Sequence, residues 1–351
     1  MRSRRSFFLG AGLSGAASLA APALRFPPAL LAQTAALPPG KLALLSSDGL
    51  WLLDSDGAGL SPARRAATGT GGWLQDPVWA PDGSRVAFSY VRFPITTTGL
   101  LWPSAEILAA VPAAAGDPPV LVRRETSTDV FVSPTWAPDG SALHVLRRRP
   151  LGADGMSAFV ELLRIDLQTG DRRTIPLPGE AMELAGGDDG SLAVVVAITG
   201  SSGVTTTRLL RLAPPDYTPQ ELLSSEQGLG FMIYPRFARG ARQLLFAGGG
   251  GETASRSDNL LDALFGRSAA AHGERAWAYL LDLATGALRR VPSEGLDDLV
   301  GLDWLDDRRA LVMDVGGLGI LELDTGTVLR VPGITGTGLA WFSPPPIAPI
   351  A

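Results

Sequence analysis

The chain has 351 residues, 46% of them hydrophobic and 19% charged, with 42 glycines, 28 prolines, no cysteine and two histidines. Without cysteine there can be no disulfide, thiolate metal centre, iron–sulfur cluster, cysteine nucleophile or lipidated N-terminal cysteine, and His144 and His272 leave little for zinc or histidine-based catalysis. The formal charge is −5, and −9 once Arg2, Arg4, Arg5 and Arg25 of the first 32 residues are set aside, which argues against nucleic acid as a partner.

Residues 1–32 read as an address. Ser3-Arg4-Arg5-Ser6-Phe7-Phe8-Leu9 leads into an uncharged, small-residue run from Gly10 to Leu24. A basic start and an apolar stretch make a signal peptide, and the paired arginines before Phe-Phe-Leu resemble the twin-arginine type, which exports proteins already folded. An ordinary secretory signal or an uncleaved anchor is the alternative. The candidate cleavage points are after Ala23, in Ala-Pro-Ala, and after Ala32, where Leu30 at the −3 position is a poor fit. If the leader stays, Phe7 to Leu24 tethers the protein to the outer face of the cytoplasmic membrane. Residues 33–40 end the proline-rich stretch Phe26–Gly40 and read as a linker. No later hydrophobic span is long enough to cross a bilayer.

From Lys41 onward one unit recurs. Asp76-Pro77-Val78-Trp79-Ala80-Pro81-Asp82-Gly83-Ser84 is matched by Ser133-Pro134-Thr135-Trp136-Ala137-Pro138-Asp139-Gly140-Ser141, each followed by an apolar strand. Proline presets a turn, and Asp-Gly supplies the positive φ that a tight hairpin needs. Looser copies centre on Ala185, Phe237, Trp304 and Trp341, at spacings that fit four-stranded units of about 40–50 residues plus loops. A second turn marks the other half of the unit. In Asp166-Leu167-Gln168-Thr169-Gly170, Asp282-Leu283-Ala284-Thr285-Gly286 and Asp324-Thr325-Gly326, aspartate caps its own turn and glycine takes the left-handed position. Residues 41–67 lack a first strand, whereas 339–343 are a first strand without its unit. Pairing the two closes a ring of six blades and hides both sheet edges.

The Trp-Ala-Pro-Asp-Gly-Ser repeat resembles that of TolB-like six-bladed β-propellers over roughly residues 41–343. The resemblance implies an all-β fold of four-stranded antiparallel blades, closed by the C-terminal strand, with a proline-rich tail over 344–351. TolB itself carries an α/β domain ahead of its propeller, whereas only a short linker is expected here. Propellers that precede a peptidase domain carry similar repeats, and no hydrolase domain is expected in this chain.

In such a blade the Pro-Asp-Gly and Asp-x-x-Thr-Gly turns share one face and are tight. The longer connections, about Arg92–Gly99, Arg147–Gly155, Thr199–Gly203 and Gly248–Glu274, fall on the other face, where a binding surface is expected. Within the longest, Gly248–Gly251 reads as a hinge and Ser257–Gly266 as a short capped helix. Leu261, Leu264 and Phe265 then either pack on the propeller or meet a partner. Arg147, Arg148 and Arg149 form a basic patch, read as a solvated loop or an anion contact. Asp76, Asp129, Glu183, Glu226, Asp297 and Asp298 precede first strands. They read as solvated acids or, if they converge at the channel mouth, as calcium ligands. His144 reads as structural, and His272 with Ser268, Glu274 and Asp262 makes no triad.

The expectation is thus an exported, monomeric propeller that binds an envelope protein or cell-wall ligand through its long-loop face. No catalytic residue, metal or cofactor is expected. The alternatives are a propeller enzyme of the lactonase or sugar-oxidising kind, with a metal or quinone in the channel, and a tethered surface sensor.

Overall fold

The computed structural model describes residues 37–344 apart from 70, 93–94, 97–98, 101–102, 112–116, 152–156, 200–204, 225–227, 251–274, 294 and 298. The signal peptide, both cleavage points, the helix bearing Leu261, Leu264 and Phe265, His272, Glu226, Asp298 and the tail after Pro344 therefore lie outside the described residues. All regular structure among the described residues is strand. None of it is a helix long and apolar enough to cross a membrane.

The strands form antiparallel sheets of four, each a meander in chain order. β1 (Gly40–Ser46), β2 (Gly49–Ser55) and β3 (Arg64–Thr68) form a sheet completed from the other end of the chain. β4 (Trp73–Trp79), β5 (Val86–Arg92), β8 (Ser104–Ala110) and β9 (Val120–Val122) follow, with a two-stranded ribbon of β6 (Ile95–Thr96) and β7 (Gly99–Leu100) between β5 and β8. β10 (Val130–Trp136), β11 (Ala142–Leu151), β12 (Ser157–Asp166) and β13 (Arg172–Ile175) join the preceding four through one parallel bridge, Val130 to Ala105. Next come β14 (Glu180–Gly186), β15 (Leu192–Thr199), β16 (Thr205–Ala213) and β17 (Thr218–Ser224). In the following sheet, β18 (Leu229–Phe237), β19 (Gln243–Gly250), β20 (Arg275–Asp282) and β21 (Leu288–Arg290) are joined by β22 (Leu296–Asp297), which pairs with β20. β23 (Gly301–Asp306), β24 (Arg309–Asp314), β25 (Gly317–Glu322) and β26 (Val328–Arg330) form another, and β27 (Gly338–Phe342) pairs with β1 from Lys41–Phe342 to Leu45–Gly338.

The repeat's turn chemistry explains the meander. Asp82 Oδ1 accepts hydrogen bonds from the Ser84 amide and hydroxyl at 2.9 and 2.7 Å, and Asp139 does the same with Ser141 at 3.0 and 2.8 Å. These donors hold both carboxyls below the ordinary carboxylate range. At the second turn, Asp166 accepts the amides of Gln168 and Thr169, and Asp282 those of Ala284 and Thr285. Gly83 has φ 64° and its absent side chain makes room for the Phe342 ring, so this glycine is required twice over.

The core lies between sheets. Phe131, Leu143, Val145 and Leu163 pack with Ala80, Ala87 and Ile107 of the neighbouring sheet. Both faces of the middle strands are thereby covered, and their sequences run apolar without clean alternation. Leu37 ahead of β1 is also buried, and its carbonyl accepts the Ser55 hydroxyl at 2.9 Å, so the end of the expected linker docks on the first sheet.

Several loop assignments are corrected. The arginine run is strand, because β11 extends to Leu151 and pairs with β12 down to Ser157. Gly248, Gly249 and Gly250 belong to β19, paired with Met232, Phe231 and Leu229, rather than to a hinge.

Candidate functional site: a cavity between the first strands

The first strands β4, β10, β14, β18, β23 and β27 line a cavity of about 850 Å³. That volume is within the range of small-ligand sites. Its wall reaches the turns after these strands, including Pro81, Asp188, Arg239 and Asp307. The cavity thus involves the tight-turn end of the sheets, whereas the sequence pointed to the long-loop end.

Local backbone irregularity sets its polar lining. Asp76, Ser133 and Tyr234 each precede a proline, stand three residues before the repeat's aromatic position and have φ near 50°. Each coincides with a break in register, between Gln75 and Val78, Val132 and Thr135, and Ile233 and Arg236. A left-handed non-glycine residue costs of order 1–3 kcal/mol and persists only where the surroundings enforce it. Here the register break turns an otherwise alternating strand, so that one polar residue is half-exposed into the cavity. Glu183 sits at the corresponding break in β14, between Ala181 and Glu183.

Neighbouring strands then fix these groups. Asp76 Oδ2 accepts the Ser133 amide at 3.0 Å and the Gln75 amide at 3.2 Å. Arg148, fully buried on β11, donates to the Met182 carbonyl at 3.3 Å, at the break in β14. Burial pulls its guanidinium below its ordinary value, against the attraction of Glu180, Glu183 and Asp76. Glu180, at the exposed start of β14, is raised by partial desolvation of its carboxyl, with Arg148 opposing. Asp303 Oδ2 accepts the Trp341 amide at 2.8 Å while Arg236 Nε stands 3.9 Å from Oδ1. Burial raises this carboxyl despite Arg236.

The aromatic positions stitch the wall. Trp79, Trp136 and Trp304 donate their indole N–H to the carbonyls of Ala340, Val78 and Arg236 at 3.3, 3.3 and 2.9 Å. Each acceptor lies one residue before the corresponding aromatic position of the adjoining first strand. Lys41 donates to the Gly83 carbonyl at 2.7 Å, with its ammonium 5.7 Å from both the Trp79 and Phe342 ring centres.

The sequence-derived candidates fare differently. Arg147 is buried and paired with Glu161 and Glu125, Arg148 is the buried β11 residue behind the first strands described above, and Arg149 is paired with Asp129. Asp129, expected as a solvated acid, is enclosed. Burial pushes its carboxyl up, but the amides of Thr126 and Glu125 and the Arg149 guanidinium outweigh it and hold it low. His144 is buried against Tyr217, and burial with Arg164 nearby lowers it to about 4. Asp76 and Glu183 do face the cavity, yet among the described residues no three His, Cys, Asp or Glu side chains group as a metal site. Arg236, Tyr234 and Asp303 were missed. For Tyr234 the available signal was the X-Pro dipeptide three residues before the aromatic position, whereas Arg236 and Asp303, each directly before an aromatic position, share no such pattern.

A cavity framed by the first strands of successive four-stranded meanders defines a protein of the β-propeller type. The chain is similar in structure to TolB from Acinetobacter baumannii at 15% identity and TM-score 0.55, over 87% of this chain and 68% of that one. It is also similar to a chain of the nidogen/laminin complex at 10% identity and TM-score 0.60, over 87% and 99%. An oligogalacturonate lyase in complex with manganese matches at 14% identity and TM-score 0.50, over 80% and 70%. At these identities the likeness is one of fold. No family model and no curated protein matches the sequence.

Proposed function

We propose that this chain is an exported six-bladed β-propeller acting as a non-catalytic binding or scaffold module of the cell envelope, with a ligand group entering the cavity between its first strands. The carrying observation is that the cavity's polar groups are set in place by bonds from neighbouring strands, Asp76 by Ser133 and Asp303 by Trp341. Such a site is preorganised for binding. The six-blade ring is supported by the order in which first strands approach one another: β4 and β10, β10 and β14, β14 and β18, β18 and β23, β23 and β27, β27 and β4. Pairing of β27 with β1 would make the closure.

Export rests on the leader, with the mature protein periplasmic or extracytoplasmic and membrane-bound only if the leader is retained. The partner is an envelope protein or cell-wall ligand, and the protein a monomer. The long-loop face is a second contact surface. Exposed Trp73, Phe159 and Val315 lie toward that end of their sheets, where the insertion bearing Leu261, Leu264 and Phe265 also departs.

Capture of partners from the native envelope by wild type and by Ala238→Trp and Thr337→Trp, which fill the cavity wall, tests the reading. A partner lost from both folded variants supports it. A partner kept by both but lost on deleting 252–272 moves binding to the long-loop face. Stoichiometric metal with turnover of a lactone or sugar would establish the enzyme instead, and an Arg4→Lys, Arg5→Lys chain that is still exported would remove the twin-arginine route.

A further inference from the structure

We infer that the cavity takes an organic cation, a primary ammonium carried on an aliphatic stem, as in a polyamine or a lysine side chain. This rests on the cavity being the binding site and adds the chemistry of its ligand. Among the described lining residues there are six carboxylates, Asp76, Glu183, Asp188, Asp303, Asp306 and Asp307, against the guanidiniums of Arg236 and Arg239. Part of that charge is already matched inside the protein: Asp306 by Arg309 and Asp303 by Arg236. Glu183 and Asp76 both lie within the influence of buried Arg148. Asp76 and Asp188 accept their hydrogen bonds from neutral groups, the Ser133 backbone and Gln75 side-chain amides and the Gly240 amide, so these short contacts do not cancel their charge.

Carboxylates alone would not specify the ligand. The wall adds half-buried aromatic rings, Tyr234, Phe237 and Trp304, whose faces attract cations from low-dielectric surroundings. The protein shows what this wall accepts. The Lys41 ammonium sits against Trp79 and Phe342, both lining residues, with a backbone carbonyl as its acceptor. Lys41 and Gly83 lie behind the lining residues, so this contact shows that such rings take an ammonium beside a carbonyl, and Tyr234, Phe237 and Trp304 offer rings on the cavity side. A compact metal ion needs several oxygens gathered on one point, and no such group is present among the described residues. Carboxylates spread around a space of about 850 Å³ suit an extended cation with separated charges.

Titration calorimetry on the mature protein, with spermidine and with an acetylated, amidated trilysine peptide as probes and glucose and citrate as controls, tests this. Saturable binding of either cation is expected. It should weaken several-fold as salt rises from about 20 to 200 mM, and about tenfold in Asp76→Asn with Glu183→Gln. Asparagine tolerates the left-handed backbone at position 76, so these variants should keep the wild-type circular dichroism. If that pair nevertheless unfolds, the salt series and competition between probes on wild type carry the same test. The better-binding probe identifies a free polyamine or a peptide side chain. The inference is overturned if neither cation binds at millimolar concentration, or if citrate binds more tightly than both. An envelope partner that is lost from the wall-filled variants yet not displaced by either cation would keep the cavity as the site and reject the cation.

Discussion

The indole N–H of Trp136 donates to the carbonyl of Val78, 58 residues earlier, on the first strand of the adjoining sheet. Arg85 of that sheet covers the same ring at 4.6 Å. Trp341 occupies the corresponding position on β27, but its Nε1 has no partner among the described residues. Both Trp136→Phe and Trp341→Phe lose volume, and only the first loses a hydrogen bond. Trp136→Phe should therefore cost about 1 kcal/mol more, which urea-midpoint shifts at equal m-value would register. Equal shifts would mean that the indole bond carries no net stability.

Gly83 and Gly140 occupy equivalent turns with φ 64° and 70°. Alanine at either incurs the left-handed penalty of about 1–2 kcal/mol. At Gly140 the added carbon meets open space, whereas at Gly83 it runs into the Phe342 ring. Gly83→Ala should be more destabilising by about 1–3 kcal/mol, the usual cost of overpacking. Phe342→Ala in the same chain should recover part of that excess, read as coupling in a double-mutant cycle.

His144 is 1% exposed, with neither ring nitrogen hydrogen-bonded among the described residues, and is lowered to about 4 in the fold against an ordinary 6.5. A histidine depressed in the folded state binds its proton more readily when unfolded. Stability is thus intact above about 6.5 and falls as pH drops toward 4, by up to about 3 kcal/mol. His144→Leu should flatten the stability profile across that window. An unchanged profile would show that other groups set the acid limit.

Much of this architecture was legible in the residues. The Asp-Gly-Ser and Asp-x-x-Thr-Gly turns announce their own hydrogen bonds, and Trp341 at the end of the repeat announces a strand in need of a partner, which β1 supplies. The cavity was harder to see. Asp76-Pro77, Ser133-Pro134 and Tyr234-Pro235 share an offset from the aromatic position, but no pattern of residue types states that the first member is left-handed. Proline in fact biases its predecessor toward extended backbone. Arg147, Arg148 and Arg149 misled for a related reason. Three consecutive charges suggest solvent, yet on this strand Arg147 and Arg149 find Glu161 and Asp129 within their own sheet, and Arg148, on the other face, finds the Met182 carbonyl of the next.

Asp303 responds to pH in the opposite sense from His144. Its carboxyl is raised by burial, so ionisation costs stability above the unfolded value near 3.8 and is relieved as pH falls through the folded value. Asp303→Asn keeps an oxygen for the Trp341 amide and removes the charge, so it should change stability little at pH 7. Asp303→Ala leaves that amide without its acceptor and should cost about 1–3 kcal/mol. Thermal melts of the two variants at pH 7 compare them directly, and equal losses would show that the amide bond is unimportant.

The Asp76 carboxylate that lines the cavity also holds the Ser133 amide of the next sheet. A ligand drawn to that carboxylate would share it with the seam between two sheets. Occupancy and the tightness of that seam would then draw on one carboxylate, so that filling the cavity would be a mechanical event as well as a chemical one.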